Sequence, residues 1–240
     1  MKLLPHIYQV GGPCKTHPYD ATSYLLPAGG ELYLIDCGTR EGFGMLLANI
    51  RSLGFDPAKI TRIYGTHGHY DHVGAAKMFH EQFGSELYLH PLDREQVETG
   101  DSLRTTASLL YGVEAEPIPV HHAYADGDSF DCDAGTVRIM HTPGHSMGSC
   151  CFVVEHKAEL RFLIAGDTLH GGCSPLIGSD ETVWRKSLER LTAEHFDAFT
   201  FGHCNPQVIC DADERIRALV QSFANYYNPW FKDFYREYRY

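Results

Sequence analysis

Residues 65–74, GTHGHYDHVG, place three histidines and one aspartate within six positions. These residues are His67, His69, Asp71 and His72, with glycines on either side. The preceding segment TRIY favours a short strand, so the cluster begins where that strand ends. Imidazole together with carboxylate is typical of a metal site, although a polar, solvated loop could have the same composition. One short loop rarely completes a coordination shell, so the rest of the chain must decide between these interpretations.

Further polar residues follow other apolar, strand-like segments. Asp36 follows ELYLI, His145 closes VRIMHTPGH, Asp167 follows LRFLIAG and His203 follows DAFTFG. Strand ends that lead into glycine-containing loops can direct several side chains into one cavity. We therefore expect one centre of five imidazoles and two carboxylates, formed by His67, His69, Asp71, His72, His145, Asp167 and His203. With water, this set suffices for two metal ions bridged by a carboxylate and a hydroxide.

The spacing of apolar residues predicts strands in meanders with helices between them. Strands are expected in HIYQV, in a hairpin at TSYLLPAGGELYLIDCG, and at ELYLH, TVRIMH, SCCFVVEH and FDAFTF. Helices are expected over residues 43–53, in GAAKMFHEQFG, across DREQVETGDSLRTTASLLYG, in DETVWRKSLERLTAEH and from Asp211 or Asp213 onward. No linker, repeat or compositional break divides the chain. Residues 1–240 are therefore predicted to form one α/β (α+β) domain of layered strands and helices, and not a doubly wound sheet.

Residues 211–240 form a predicted C-terminal helical tail that is rich in aromatic residues. In FANYYNPWFKDFYREYRY the aromatic residues recur at spacings of three and four, which favours one or two helices broken near Pro229. Packing of this tail against the body of the protein is one interpretation. A homodimer contact and a lid over a substrate are the others.

Charge and cysteine content limit the partners and the compartment. The net charge is −11 and no run of five basic residues occurs, so nucleic acid is not an expected partner. The N-terminal segment MKLLPHIYQVGG is too short and too interrupted for a signal peptide or a membrane span. Eight cysteines include no C-x-x-C pair, which predicts reduced thiols in a cytoplasmic protein. Cys150 and Cys151 are adjacent in an apolar strand and should face opposite sides of it.

THGHYDH contains the pattern H-x-H-x-D-H, and LIDCG precedes it while TPGHS, AGDT and FGH follow in that order. Together these five segments resemble the motifs of the metallo-β-lactamase superfamily. The resemblance extends from about Asp36 to His203, which is most of the chain. It implies a four-layer αββα sandwich with a dinuclear metal site at one edge.

The resemblance also implies roles for individual residues. The ligands that it implies are His67, His69 and His145 for a first ion, and Asp71, His72 and His203 for a second, with Asp167 bridging the two. Asp36 would orient the H-x-H-x-D-H loop through hydrogen bonds without touching a metal. Asp71 would also orient the nucleophile and help to move its proton to the leaving group.

The expected activity is that of a metal-dependent hydrolase acting on a small molecule. A hydroxide held between two divalent ions would attack an ester or thioester carbonyl. Zinc is the first choice, while the same ligands accept iron or manganese. Glyoxalase II-like thioesterases and acyl-homoserine lactonases of the superfamily have this ligand set. The commonest β-lactamase subclass has cysteine where this chain has Asp167, which disfavours β-lactam substrates.

Other interpretations use fewer of these residues. A persulfide dioxygenase of the same superfamily would use one iron, held by His67, His145 and Asp167. A member that binds metal without catalysis is also compatible with intact ligands. GHSMG matches the nucleophile motif G-x-S-x-G, with Ser146 ahead of Asp167 and His203 in the chain. That motif requires a helix after the serine, whereas MGSCCFVVE has the pattern of a strand.

Overall fold

The computed structural model describes residues 1–203 and 208–221, and the backbone of residues 231–233. The first half of the chain contains the strands β1 (Lys2–Leu4), β2 (Ile7–Gln9), β3 (Tyr24–Ala28), β4 (Glu31–Ile35), β5 (Ile60–Tyr64), β6 (Glu86–Leu89) and β7 (His122–Ala123). The second half contains β8 (Ser129–Cys132), β9 (Gly135–His141), β10 (Cys150–His156), β11 (Leu160–Ile164), β12 (Gly171–Cys173), β13 (Ala198–Thr200), β14 (Ile209–Cys210) and β15 (Phe231–Asp233). The α-helices are α1 (Phe43–Ser52), α2 (Tyr70–Val73), α3 (Ala76–Phe83), α4 (Pro91–Thr99), α5 (Glu181–Thr192) and α6 (Ala212–Gln221). Single helical turns lie at Pro57–Lys59, Ala107–Tyr111 and Pro175–Ile177.

Most of these strands belong to two large sheets. In the first sheet the strands lie in chain order from β1 to β7, and β4 to β7 run parallel to one another. The second sheet has the order β14-β13-β11-β10-β9-β8, in which only β11 and β13 are a parallel pair. A separate parallel pair joins β12 to β15, with Gly172 opposite Lys232. Because β4 and β5 are parallel, the loops that follow them leave the first sheet at the same edge.

Three groups of buried side chains define the layers. Leu34 and Phe79 belong to the group between the first sheet and the helices α1, α3 and α4. Tyr64 and Phe152 belong to the group between the two sheets. Trp184 of α5 belongs to the group that covers the outer face of the second sheet, together with residues of α6. The layers therefore follow the order helix, sheet, sheet, helix, which confirms the predicted αββα sandwich.

Neighbouring residues of β10 are buried on opposite faces of the second sheet. Cys150 and Phe152 lie in the core between the sheets, whereas Cys151 and Val153 lie in the core beneath α5. This confirms the expected placement of the two adjacent cysteines. It also explains why CCFVV is apolar throughout, since a strand covered on both faces has no solvent side.

The helix predicted across residues 93–112 is wrong in its middle. Helix α4 ends before Gly100, which has a left-handed φ of +66°, and Thr106 has a φ of +68°. Residues in this conformation cannot continue a right-handed helix. After a turn at residues 102–105, helix resumes only at Ala107–Tyr111, as a single π-helical turn. The periodicity of the side chains was compatible with one helix, but the backbone is broken twice.

The predicted tail is helical over part of its length. Helix α6 starts at Ala212 as expected, but residues 231–233 form a strand and not a helix. The other aromatic positions of the tail fall in residues 222–230 and 234–240, which lie outside the described residues. The single domain over residues 1–240 and the homodimer contact therefore stay predictions. In the described part of the chain, no helix is both long enough and apolar enough to cross a membrane.

Phe152→Ala is expected to lower the free energy of unfolding by about 3–5 kcal/mol. The side chain is fully buried between the sheets, where its ring centroid lies 6.2 Å from that of Tyr64 and 6.1 Å from that of Tyr124. Met45→Ala on α1 is the control, because Met45 is 52% exposed, and its effect should stay within about 0.5 kcal/mol. Urea denaturation measures both variants. Equal losses would contradict the assignment of Phe152 to this core.

Candidate metal centre

The loops that follow five strands meet at one edge of the sandwich. Asp36 directly follows β4 and His67 lies just after β5, both in the first sheet. His145, Asp167 and His203 lie just after β9, β11 and β13 of the second sheet. All seven predicted ligands come together here, and each of them except His203 is buried. The centre is therefore built by both sheets at once.

The ligand atoms of these residues form three groups, and within each group all atoms lie within 4.8 Å of one another; the group of His67, His72 and Asp167 links the other two. His67, His69 and His145 form one, called here the first group, and Asp71, His72 and His203 form another, called the second group. Asp167 lies between the groups. Its Oδ2 is 3.5 Å from Nε2 of His145 and 3.3 Å from Nε2 of His203. A carboxylate in this place can reach an ion on each side.

The donor atoms suit divalent cations. Nε2 of His67 is buried and has no hydrogen-bond partner among the described residues. Nε2 of His145 faces Nδ1 of His69 at 3.0 Å, so two basic nitrogen atoms point at each other. Buried polar atoms in such surroundings are costly unless a partner satisfies them. A Cβ at Gly202 would overlap Oδ1 of Asp167, so glycine at this position leaves room for the carboxylate.

The imidazoles of the first group are held neutral. Burial, followed by the charge of neighbouring histidines, keeps the pKa values of His67 and His69 well below the usual value. Burial also lowers the pKa of His145. Neutral imidazole presents a lone pair and is the form that binds metal. This side of the centre is ready to bind a cation without first releasing a proton.

Carboxylates in and next to the second group raise the pKa values of its two histidines. Burial alone would lower the pKa of His72, but Asp71 and Asp36 raise it well above its usual value. In the same way, burial opposes but Asp167 and Asp71 raise the pKa of His203 to about 10. Burial would raise the pKa of Asp71, but His72 and His203 lower it to about 2. Positive charge is therefore strongly favoured at this side of the centre, either as protons or as a cation.

The hydrogen bonds of Asp36 fix the orientation of His72. The Asp36 carboxylate accepts hydrogen bonds from the Thr66 N–H at 2.7 Å and from the Thr66 hydroxyl at 2.9 Å. Nδ1 of His72 lies 2.8 Å from Asp36 Oδ2. Because a carboxylate only accepts, the proton of His72 is on Nδ1, and its Nε2 is turned to the other ligands. This geometry is what an orienting residue requires, and its effect on catalysis stays a prediction.

His145 is oriented by the backbone of β12. Its Nδ1 lies 2.8 Å from the carbonyl oxygen of Gly172, which can only accept a hydrogen bond. Nε2 of His145 is therefore free to face the centre. A Cβ at Gly171 would lie 2.7 Å from Nδ1, so glycine is needed for this close approach.

Asp93 joins two of the loops that carry ligands. It lies on α4, is 1% exposed, and accepts hydrogen bonds from the N–H groups of Gly68 and Gly148, each at 2.8 Å. The hydroxyl of Ser146 also donates to it, at 2.6 Å. A Cβ at Gly148 would lie 2.5 Å from Asp93 Cγ, so this joint depends on glycine. Asp93 therefore sets the loop of Gly68 against the loop of His145.

The same contacts remove the support for a serine nucleophile. The hydroxyl of Ser146 is hydrogen-bonded to Asp93 and to Ser149. The residues that follow it lead into strand β10 and not into a helix. Ser146 thus belongs to the joint between loops, as the strand pattern after it had indicated.

Known proteins resemble this chain in sequence and in fold. Residues 18–203 match the family model of the metallo-beta-lactamase superfamily. The chain is 35% identical over 189 residues to a hydroxyacylglutathione hydrolase of Rhizobium johnstonii, covering 78% of this chain and 59% of that protein. It is 26% identical over 210 residues to an atrochrysone carboxyl ACP thioesterase of Passalora fulva, covering 84% and 54%. Among solved structures, a metallo-beta-lactamase from Elizabethkingia meningoseptica superimposes with a TM-score of 0.75 at 25% identity, covering 93% of this chain and 88% of that one.

The fold and the cluster of histidines and aspartates define a metal-dependent hydrolase. The chain belongs to the metallo-beta-lactamase superfamily, as its five motifs implied. It spans less than two thirds of the length of the hydroxyacylglutathione hydrolase and of the carrier-protein thioesterase.

Asp93→Asn is expected to weaken the joint between the loops. The amide nitrogen would face the N–H of Gly68 or of Gly148, and that buried N–H would lose its acceptor. The free energy of unfolding should fall by about 1–3 kcal/mol, and the affinity for divalent metal by about 10- to 100-fold. Urea denaturation and competition with a chelator measure the two effects.

Asp101→Asn is the matched control for this substitution. Oδ1 of Asp101 accepts hydrogen bonds from the N–H groups of Leu103 and Arg104, both at 3.0 Å, and asparagine keeps such an oxygen. Its effect on unfolding should stay within about 0.5 kcal/mol. Wild-type metal affinity in Asp93→Asn would show that the centre does not depend on this joint.

Proposed function

We propose that this protein hydrolyses a thioester of a small molecule, using two divalent ions bound by the first and second groups. The observation that carries the proposal is the position of Asp167, whose carboxylate has histidines of both groups within 3.5 Å. The proposed ligands are His67, His69 and His145 for one ion, Asp71, His72 and His203 for the other, and Asp167 for both. Zinc is the expected metal, and the same ligands would accept iron or manganese.

The protein's own residues would orient the reacting groups. When bound, two such ions supply hydroxide near neutral pH and polarise a carbonyl oxygen. Asp71 belongs to the second group, with its Oδ2 3.1 Å from Nε2 of His203, and as a carboxylate it can accept a hydrogen bond from the attacking water. Asp36 and the Gly172 carbonyl keep two of the imidazoles in their binding orientation. These contacts would fix the nucleophile before the substrate arrives.

A thioester is the substrate class that needs least from the rest of the site. A thiol has a pKa near 8.5, so a thiolate can leave without receiving a proton. The names of two relatives, a hydroxyacylglutathione hydrolase and an acyl carrier thioesterase, also describe thioester cleavage. This chain spans only part of the length of either relative, so we do not infer the thiol part of its substrate from them. Lactones are the comparison substrates for the assay, because a hydroxide activated at the same site could also attack them.

A single-iron dioxygenase is the alternative that metal content separates from this proposal. It would use two histidines of the first group and Asp167, and would leave the second group without a role. The ligand atoms of the second group nevertheless lie within 4.8 Å of one another, as those of the first group do. We therefore favour two ions and hydrolysis over one ion and oxygen chemistry.

We also propose that the protein works in the cytoplasm. The seven cysteines in the described residues are free thiols, and several are buried in the cores. Free thiols that pack as small apolar side chains are typical of reducing compartments.

Elemental analysis of protein purified without chelator is expected to find about two ions per chain. Removal of the metal should abolish hydrolysis of a panel of glutathione and carrier-type thioesters, and zinc or manganese should restore it. About one iron per chain, with oxygen uptake on a persulfide, would instead establish the dioxygenase. Absence of metal after reconstitution would contradict both activities.

Asp167→Asn is expected to reduce turnover of the thioester by more than about 100-fold and to lower the metal content. The neutral amide oxygen lacks the negative charge of a carboxylate, so it is a much weaker ligand for two cations at once. Asp56→Asn is the control, because Asp56 caps an exposed helical turn by accepting from the Ala58 N–H at 3.0 Å, and asparagine caps equally well. If Asp167→Asn keeps the metal content and turnover of the control, the proposed bridging role is wrong.

A further inference from the structure

A cavity of about 440 Å³ lies between the helices α3 and α4 and the segment of residues 105–118. Val73, Met78, Val97 and Ile118 give it an apolar lining. Among the described residues that line it, none is a proposed metal ligand, so the cavity is separate from the metal centre. Its size and lining suit a small molecule, since ligand sites usually measure about 300–1,000 Å³ and are mostly apolar.

Two basic side chains in the lining share one carboxylate. Oε2 of Glu116 lies 3.0 Å from Nζ of Lys77, and its Oε1 pairs with Nη1 of Arg40. Arg40 belongs to the loop after β4 and Lys77 to α3, so the two cations come from different elements. Each oxygen of the carboxylate is bound by a different cation. The lining of the cavity therefore already contains a site for a carboxylate, which Glu116 occupies.

The ion pairs of Glu116 are of the kind that exchanges readily. The side chain of Arg40 is 33% exposed, that of Lys77 34% and that of Glu116 46%. Ion pairs between such side chains contribute little to stability, because water screens the charges and the long side chains lose freedom. A carboxylate from solution can therefore replace that of Glu116 with little loss of stability.

Two other acidic residues line the cavity, and neither occupies this site. The carboxylate of Glu41 accepts a hydrogen bond from the Tyr70 hydroxyl at 2.6 Å. Glu81 is exposed on α3. Within the part of the chain that the structure describes, neither forms an ion pair with Arg40 or Lys77. The two cations can therefore hold one carboxylate, either that of Glu116 or that of a ligand.

We propose that this cavity binds a small carboxylic acid with an apolar chain. The carboxylate replaces that of Glu116 between Arg40 and Lys77, and the chain enters the apolar part of the cavity. Gly68 and Tyr70 also line the cavity, so the bound acid lies against the H-x-H-x-D-H loop. The site requires neither metal nor turnover, so its test is independent of the proposed hydrolase function.

Calorimetric titration of the full chain with hexanoate, octanoate and decanoate tests this site. The affinity should rise about fourfold for each added CH₂ group, because apolar surface is buried in the cavity. Octylammonium and octanol are the comparison ligands. Both should bind more weakly than octanoate, since neither can replace a carboxylate between two cations. Equal or tighter binding of octylammonium would overturn the proposal, because the acidic residues of the lining would then determine the ligand.

Two variants change the carboxylate site in opposite directions. Glu116→Gln removes the competing carboxylate and should raise the affinity for octanoate about 2- to 5-fold. Lys77→Met removes one cation, keeps an unbranched side chain, and should lower the affinity by a similar factor. Glu155→Gln and Lys157→Met are the matched controls. Glu155 also forms an exposed ion pair, with Arg161 at 3.0 Å, and neither control residue lines the cavity.

The direction of each change separates the possible results. Octanoate could also bind at the metal centre, but neither Glu116→Gln nor Lys77→Met would then alter its affinity, and this result would overturn the proposal. Changes in the controls as large as those in the two test variants would overturn it too, because they indicate a general effect of surface charge. Absence of octanoate binding to both the wild type and Glu116→Gln would also contradict it. Circular dichroism checks that all four variants are folded.

Discussion

Three carboxylates, Asp36, Asp71 and Asp167, are buried close together where the strands of both sheets end. A buried charge without a partner costs several kcal/mol, so this edge of the protein must supply positive charge or hydrogen-bond donors. Asp36 is satisfied by the protein itself, through Thr66 and His72. Asp71 and Asp167 have only a few histidines, which they share, as partners. Their oxygen atoms can therefore also bind cations. The arrangement of the surrounding loops follows from this requirement.

The distances in the centre depend on how the two sheets pack together. His67 and Asp71 follow a strand of the first sheet, whereas His145, Asp167 and His203 follow strands of the second. A shift of one sheet against the other would separate these donors. The core between the sheets resists such a shift across its whole area, and Asp93 resists it locally by holding a loop from each side. Stability and metal binding are therefore properties of the same interface.

Much of the centre could be predicted because its residues occupy distinctive places in the sequence. The loop of His67 contains several side chains that can bind metal, and Asp167 and His203 lie just after apolar strands. Their polar side chains therefore stand out from the apolar residues before them. Asp93 offers no such contrast, because an aspartate among the polar residues of a helix has the same pattern as a solvated face. The helix predicted over residues 93–112 was wrong because its side-chain period does not reveal the left-handed residues Gly100 and Thr106 that interrupt it. Side-chain patterns identify ligands at strand ends, whereas residues placed by backbone reversals or by tertiary hydrogen bonds require the structure.

The pairing of β12 with β15 has a consequence for the order in which the centre is made. Strand β12 provides the Gly172 carbonyl that orients His145, and its partner in the small sheet is a strand at residues 231–233. Ribosomes add roughly 5–20 residues per second, so β15 is synthesised a few seconds after the last proposed ligand. All the ligands therefore leave the ribosome before the support of His145 is complete. The small sheet that backs the Gly172 carbonyl is accordingly complete only after residues 231–233 have been synthesised.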